Sequence, residues 1–178
     1  MRKNKLTIVL PDVKNVTFGD LDLSKLSEFG DVITYPISAI NELQDRIKDA
    51  DIVLCNKTLL NQDTLNKAFK LKYIGLFATG YNNVDLNYTN SHGITVCNAG
   101  SYSTDSVAQH TFGLILNHYN KISKYNEFVQ NNGWKNSETF SPFIYGMNEL
   151  SGKTIGIIGF GSIGQKVARI ALAFNMNV

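Results

Sequence analysis

The chain has little cysteine, little histidine, no excess of either charge and no long apolar run. Each shortage removes a class of function. Two cysteines in 178 residues, Cys55 and Cys97, each close an apolar run. They read as buried free thiols in a reducing compartment, not as a disulfide pair or a metal site. The three histidines, His92, His110 and His118, make no His/Asp/Ser or His/Cys spacing that would suggest hydrolysis. His110 and His118 lie eight apart on one helical segment, so they form no i, i+4 ligand pair, and there is no metal motif. Net charge is +2 and the basic residues are scattered, which leaves no nucleic-acid surface. No stretch approaches the ~18 apolar residues of a membrane span. The apolar run Leu6 to Leu10 is too short for a signal peptide, so the expected location is the cytoplasm.

A hydrophobic fraction of 43% and a charged fraction of 18% describe a globular protein with a core. Through residue 100, strand and helix signals alternate. Strands are expected at Leu6–Leu10, Val32–Tyr35, Asp51–Cys55, Tyr73–Phe77 and Ile94–Cys97. Helical signals lie between them. Leu23, Leu26 and Phe29 mark a short helix closed by Gly30. Ser38 can cap one with Ile40, Leu43 and Ile47 inward. Asn61 can cap one with Leu65, Ala68 and Phe69 inward. A short one follows Asp85 and ends at Gly93. This alternation implies right-handed βα crossovers and a parallel, flavodoxin-like sheet. The domain boundary is expected near 100, giving domains 1–100 and 101–178.

Beyond the boundary, Ser103 or Thr104 can cap a long helix reaching Gln130, or two helices broken near Asn120. Residues 131–150 carry Trp134, Phe140, Phe143 and Tyr145 without periodicity and read as an arm that docks on something. Thr154–Ile158 reads as a strand buried on both faces, followed by Gly159-x-Gly161-x-x-Gly164 and a helix with Ile163, Val167, Ile170, Ala171 and Phe174 inward. Asn175 is expected to end that helix in a left-handed conformation. Strand, glycine motif and helix in this order are the dinucleotide-binding fingerprint. Gly159 allows the turn, Gly161 the approach of a pyrophosphate, and Gly164 close packing of helix on strand. The acidic ribose-binding residue expected about 20 residues on would fall past Val178, so the cofactor is read as NAD with NADP left open.

Ligands of open α/β sheets bind outside the carboxyl ends of the strands. That rule selects Asn56-Lys57-Thr58, the loop Ala78 to Asn83, and the loop Asn98 to Tyr102. Thr79-Gly80 offers backbone N–H groups and a hydroxyl suited to a carboxylate or phosphate, and Lys57 adds a charge. Ordinary turn chemistry accounts for each loop taken singly.

The segments Ala78–Asp85, Gly93–Asn98, Ser103–Thr111 and Gly152–Gly164 resemble the D-isomer-specific 2-hydroxyacid dehydrogenases, above all their glycerate dehydrogenase and hydroxypyruvate reductase branch. The resemblance implies a substrate domain over 1–100 and the truncated start of a Rossmann NAD-binding domain over 101–178. It implies a cofactor held at Gly159, Phe160, Gly161, Ser162, Ile163 and Gly164, with Thr79 and Thr104 near the nicotinamide. It implies a small 2-oxo or 2-hydroxy acid substrate at Asn56, Lys57, Thr79 and Gly80. The long helix and the Trp134 arm resemble dimerisation elements, so the intact protein is expected to be a homodimer. The family's catalytic arginine, glutamate and histidine belong to sequence beyond Val178. No catalytic residue is assigned, and these residues alone are expected to lack dehydrogenase activity. The alternative is a non-catalytic nucleotide-binding module or a truncated remnant.

Overall fold

The computed structural model describes residues 5–178. The chain divides into two compact units, Met1–Gly100 and Ser101–Val178.

Short β-branched runs in the first unit form β1 (Leu6–Leu10), β2 (Gly30–Thr34), β3 (Ile52–Cys55), β4 (Tyr73–Leu76) and β5 (Thr95–Asn98). Every pairing is parallel and the order is β2-β1-β3-β4-β5, the flavodoxin-like arrangement with its switch point between β1 and β3. Helices α1 (Ile40–Ile47), α2 (Gln62–Leu65) and α3 (Leu86–Ser91) supply the crossovers after β2, β3 and β4, and 3-10 turns lie between β1 and β2. One sheet face, with Val9, Val53, Cys55, Ile74 and Leu76, buries against Leu43, Ile47, Leu60 and Leu65. Asn61 caps α2 through the Thr64 N–H (3.1 Å), and Asp85 caps α3 through the Tyr88 N–H (3.0 Å). Each cap stabilises its helix by ~1 kcal/mol.

In several places the structure departs from the sequence expectation. The segment around Leu26 is a 3-10 turn, Ser24–Glu28, and Gly30 starts β2 instead of closing a helix. Ala39, not Ser38, precedes α1; the Ser38 hydroxyl donates to the Pro11 carbonyl and accepts from Arg46. Ile40, in the first turn of α1, is exposed although it shares a face with Leu43 and Ile47. Phe69 is exposed because α2 stops at Leu65, so helical phase no longer turns position 69 inward. Cys55 is buried but Cys97 is not. Val96 packs against the core, and alternation along an edge strand sends Cys97 to the other face.

The second unit contains α4 (Thr104–Asn120), α5 (Ile122–Gln130) and α6 (Ser162–Ala173). The long helical segment is two helices, broken at Lys121, which adopts φ 55° and ψ 33°. Ala108 and Phe112 of α4 bury against Val167 and Ala171 of α6, together with Leu150 and Met176. Phe112 stacks on Phe174 with ring centroids 5.5 Å apart. Asn175 follows α6 at φ 56°, as expected of a left-handed cap. The arm is irregular, with the Trp134 indole N–H donating to the Phe140 carbonyl (3.0 Å) and the Tyr125 hydroxyl to the Tyr145 carbonyl (3.1 Å).

Thr154–Ile158 is not a strand buried on both faces. Among the described residues its pairing is one parallel bridge, Thr154 with Asn177. Ile155 and Ile157 pack on the unit's core while Ile158 is fully exposed. With a neighbour on one edge and helices on one face, alternation buries every second residue only. No helix among the described residues is long and apolar enough to cross a membrane.

Candidate nucleotide and carboxylate sites

In the second unit, the three motif glycines occupy three different environments. Gly159 has φ +94°, a backbone conformation that side chains disfavour. Gly161, preceding α6, has an ordinary φ of −74° and open space where a Cβ would stand. Gly164 lies where a Cβ would overlap the carbonyl oxygen of Gly159 and press on Ile157. The chain therefore turns sharply, leaves a clear approach in front of Gly161, and brings α6 close against the preceding segment. Gln165 N–H closes the first helical bond to the Gly161 carbonyl (2.9 Å). The N–H groups of Ser162, Ile163 and Gly164 precede that bond and have no intrahelical acceptor, so they present donors and the positive helix end to an anion. The Phe160 ring is exposed, and the Phe160 carbonyl accepts from the Gln165 side chain (3.1 Å). This geometry fits a pyrophosphate. Thr104 opens α4, its hydroxyl donating to the Ser101 carbonyl (2.9 Å). Next to it, Asp105 pairs with Lys166 of α6 at 2.7 Å. The hydrogen bond and charge of Lys166 hold the Asp105 carboxyl below its usual range.

In the first unit, the loops after β3, β4 and β5 are laced together along one sheet edge. The Asn83 side-chain amide donates to the Thr58 carbonyl (2.8 Å), and Leu60 bridges Val84. The Asn98 amide donates to the Thr79 carbonyl (2.7 Å). The structure thus brings Asn56, Lys57, Thr79 and Gly80 to a common rim. Lys57, Thr79 and Gly80 are exposed, and the Thr79 and Gly80 N–H groups meet no acceptor among the described residues. Lys57 makes no ion pair among those residues. Asn56 donates to the Asn15 carbonyl (2.6 Å), while its Oδ1 is enclosed and meets no donor among them.

One residue of this rim escaped the sequence reading. Asp12, two residues past the end of β1, is buried with 2% exposure. Its carboxylate accepts the backbone N–H groups of Asn56 (3.1 Å), Lys57 (2.7 Å) and Thr58 (3.0 Å). No local pattern connects positions 44 to 46 residues apart; only the β1–β3 pairing does. Beneath the loop, burial and then the Asp12 charge push the Cys55 thiol up to about 12, which keeps it protonated and inert.

The histidines form no acid–base constellation. His92 stacks on Tyr88 (4.0 Å) with Nδ1 2.8 Å from the Tyr88 carbonyl. His110 and His118 lie on the outside of α4. Among the described residues, no group of three or more His, Cys, Asp or Glu side chains could hold a metal ion.

Known proteins share this architecture. The hydroxypyruvate reductase of Blautia hydrogenotrophica is 36% identical over 176 residues, which is 97% of this chain and 55% of that protein. A solved acyclic imino acid reductase in complex with NADPH and D-Arg superposes with a TM-score of 0.78 at 31% identity, covering 96% of this chain and 54% of that one. A D-lactate dehydrogenase from Aquifex aeolicus, complexed with NAD and lactic acid, gives 0.74 at 27% identity, covering 96% and 49%. The chain spans about half the length of the curated relatives it matches. The model of the D-isomer specific 2-hydroxyacid dehydrogenase catalytic domain matches residues 14–174, and the chain belongs to that family.

Proposed function

We propose that the chain is the substrate-binding and cofactor-entry part of a nicotinamide-dependent oxidoreductase that reduces a 2-oxo acid of the hydroxypyruvate or glyoxylate type. Residues 1–100 then act as the substrate domain and 101–178 as the beginning of the NAD-binding domain. The observation that carries this reading is the turn at Gly159–Gly164, in which Gly159 takes the positive φ of the turn, Gly161 leaves the approach for a pyrophosphate open, and Gly164 lets α6 pack closely. When bound, the nicotinamide supplies the hydride. The residues of this chain bind and orient. The N–H groups at the head of α6 hold the pyrophosphate. Thr79 and Thr104 are assigned to the nicotinamide end. The Thr79 and Gly80 N–H groups and the Lys57 ammonium hold the substrate carboxylate, and Asn56 stands beside them. Relatives of known structure carry NAD or NADPH, and NAD is the cofactor proposed here.

The test is cofactor binding. Gly161→Val places a branched side chain in the open approach, its Cβ meeting nothing within 4 Å. NADH affinity, followed by fluorescence, should fall at least tenfold while the circular dichroism spectrum stays unchanged. Undiminished affinity in the folded variant refutes the site.

The same reading includes a homodimer formed through residues 103–150 and a cytoplasmic location, where Cys55 and Cys97 stay reduced. Phe140 and Phe143 stand 85% and 99% exposed on the arm, and Ile122, Val129 and Met147 are also exposed. Such apolar surface marks an interface. A monomer in sedimentation at micromolar concentration would refute the dimer.

A further inference from the structure

Three consecutive backbone N–H groups directed to one point make an anion-binding nest. On the rim after β3 that nest is already filled from within. Asp12 reaches it from the end of β1 and accepts from Asn56, Lys57 and Thr58 at 2.7–3.2 Å. These amides are therefore closed to a substrate, and the loop can contribute only side chains. Of the rim residues 56–58, 78–83 and 98–100, Lys57 is the one cation.

We propose that Asp12 is a positioning residue for substrate binding, its buried carboxylate fixing the Asn56–Thr58 backbone so that the Lys57 ammonium is presented to the substrate carboxylate. The inference rests on the rim being a carboxylate site. The side-chain chemistry is specific. A carboxylate has two acceptor oxygens with four lone-pair directions, enough for three N–H groups. An Asn at the same place turns an NH₂ toward donors and leaves at least one of them unsatisfied. The other flank of the loop is held by Asn83 on the Thr58 carbonyl, within the loop that carries Thr79 and Gly80. Loss of the Asp12 anchor therefore releases Lys57 from a loop otherwise tied to the second half of the rim.

The experiment uses the 178-residue chain, amide-resolved NMR and oxalate as an unreactive substrate-like dianion. In the unaltered chain, oxalate should shift the Thr79 and Gly80 amides. The amides of residues 56–58 should exchange with solvent at least tenfold more slowly than those of Thr79 and Gly80. Asp12→Asn should accelerate exchange at 56–58 tenfold or more and weaken oxalate binding about tenfold. Lys57→Met should weaken oxalate equally while leaving that protection intact. The double variant should be no weaker than either single one, because both changes remove the same contact. A loop amide set that exchanges as fast as Thr79 and Gly80 overturns the proposal even if Asp12→Asn does not fold. Oxalate bound with unaltered affinity by Asp12→Asn, or additive losses in the double variant, also overturns it. Absence of any oxalate response at Thr79 and Gly80 in the unaltered chain removes the carboxylate-site reading itself, and the proposal with it.

Discussion

Gly164→Ala tests how closely α6 is packed. The new Cβ would overlap the Gly159 carbonyl oxygen and sit 3.3 Å from Ile157 Cγ2. A backbone oxygen in a turn cannot swing aside as a side-chain end can, so the helix must move outward. Overpacking of this kind costs ~1–3 kcal/mol. Alanine returns at most ~1 kcal/mol through its helix propensity, and less in a first turn. The net loss should be about 1–2 kcal/mol, which for a unit of this size lowers the melting temperature by roughly 5–15 °C. Gly161→Ala is the matched control. Its Cβ meets nothing within 4 Å and its φ of −74° suits any residue. The poorer helix cap and the reduced freedom of the unfolded chain nearly cancel, leaving a change within ~0.5 kcal/mol. Urea denaturation followed by circular dichroism at 222 nm (an instrument setting of about that wavelength) reads both. Equal stability of Gly164→Ala and the unaltered chain, or an equal loss in Gly161→Ala, would refute the assignment of the two glycines.

Phe112→Ala removes a ring that is 4% exposed and stacked on Phe174, and should cost ~3–5 kcal/mol in the same denaturation. Lys121→Gly relieves the left-handed conformation between α4 and α5 and should add about 0.5–1 kcal/mol. In the folded chain at pH 8, an aromatic disulfide reagent should label Cys97 promptly and Cys55 only on unfolding; prompt labelling of both would contradict the burial of Cys55. The raised Cys55 pKa also sets a direction. Its contribution to stability is complete below the unfolded thiol value and is lost as pH rises toward about 12, because the unfolded chain ionises first. Cys55→Ser should flatten that alkaline slope, read as melting temperature against pH.

Local chemistry made much of this protein legible. The five apolar runs of the first unit became the five strands, since short β-branched segments between turn residues have few other ways to bury themselves. Asn61, Asp85 and Asn175 behaved as their side chains and backbone preferences dictate. The motif at Gly159 carried its steric logic in the order of its residues, and the family resemblance was readable from the same segments. Misreadings fell where an element's end or its environment decides. Helical spacing continued past Leu65 points Phe69 inward, but α2 stops there; an apolar run predicts Cys97 buried, but β5 is an edge strand whose second face is open. Thr154–Ile158 has the sequence of a strand covered on both faces, but burial depends on what lies beside it.

By itself, the sequence determined the strand-and-helix alternation, the glycine turn and the residue types along the rim, because these depend on contacts within a few positions. Only the tertiary structure decided the break at Lys121, the exposure of Cys97 and the place of Asp12. The last shows the reason most clearly. A buried carboxylate must find donors, and those of Asp12 lie 44 to 46 residues away, delivered by parallel pairing of β1 with β3.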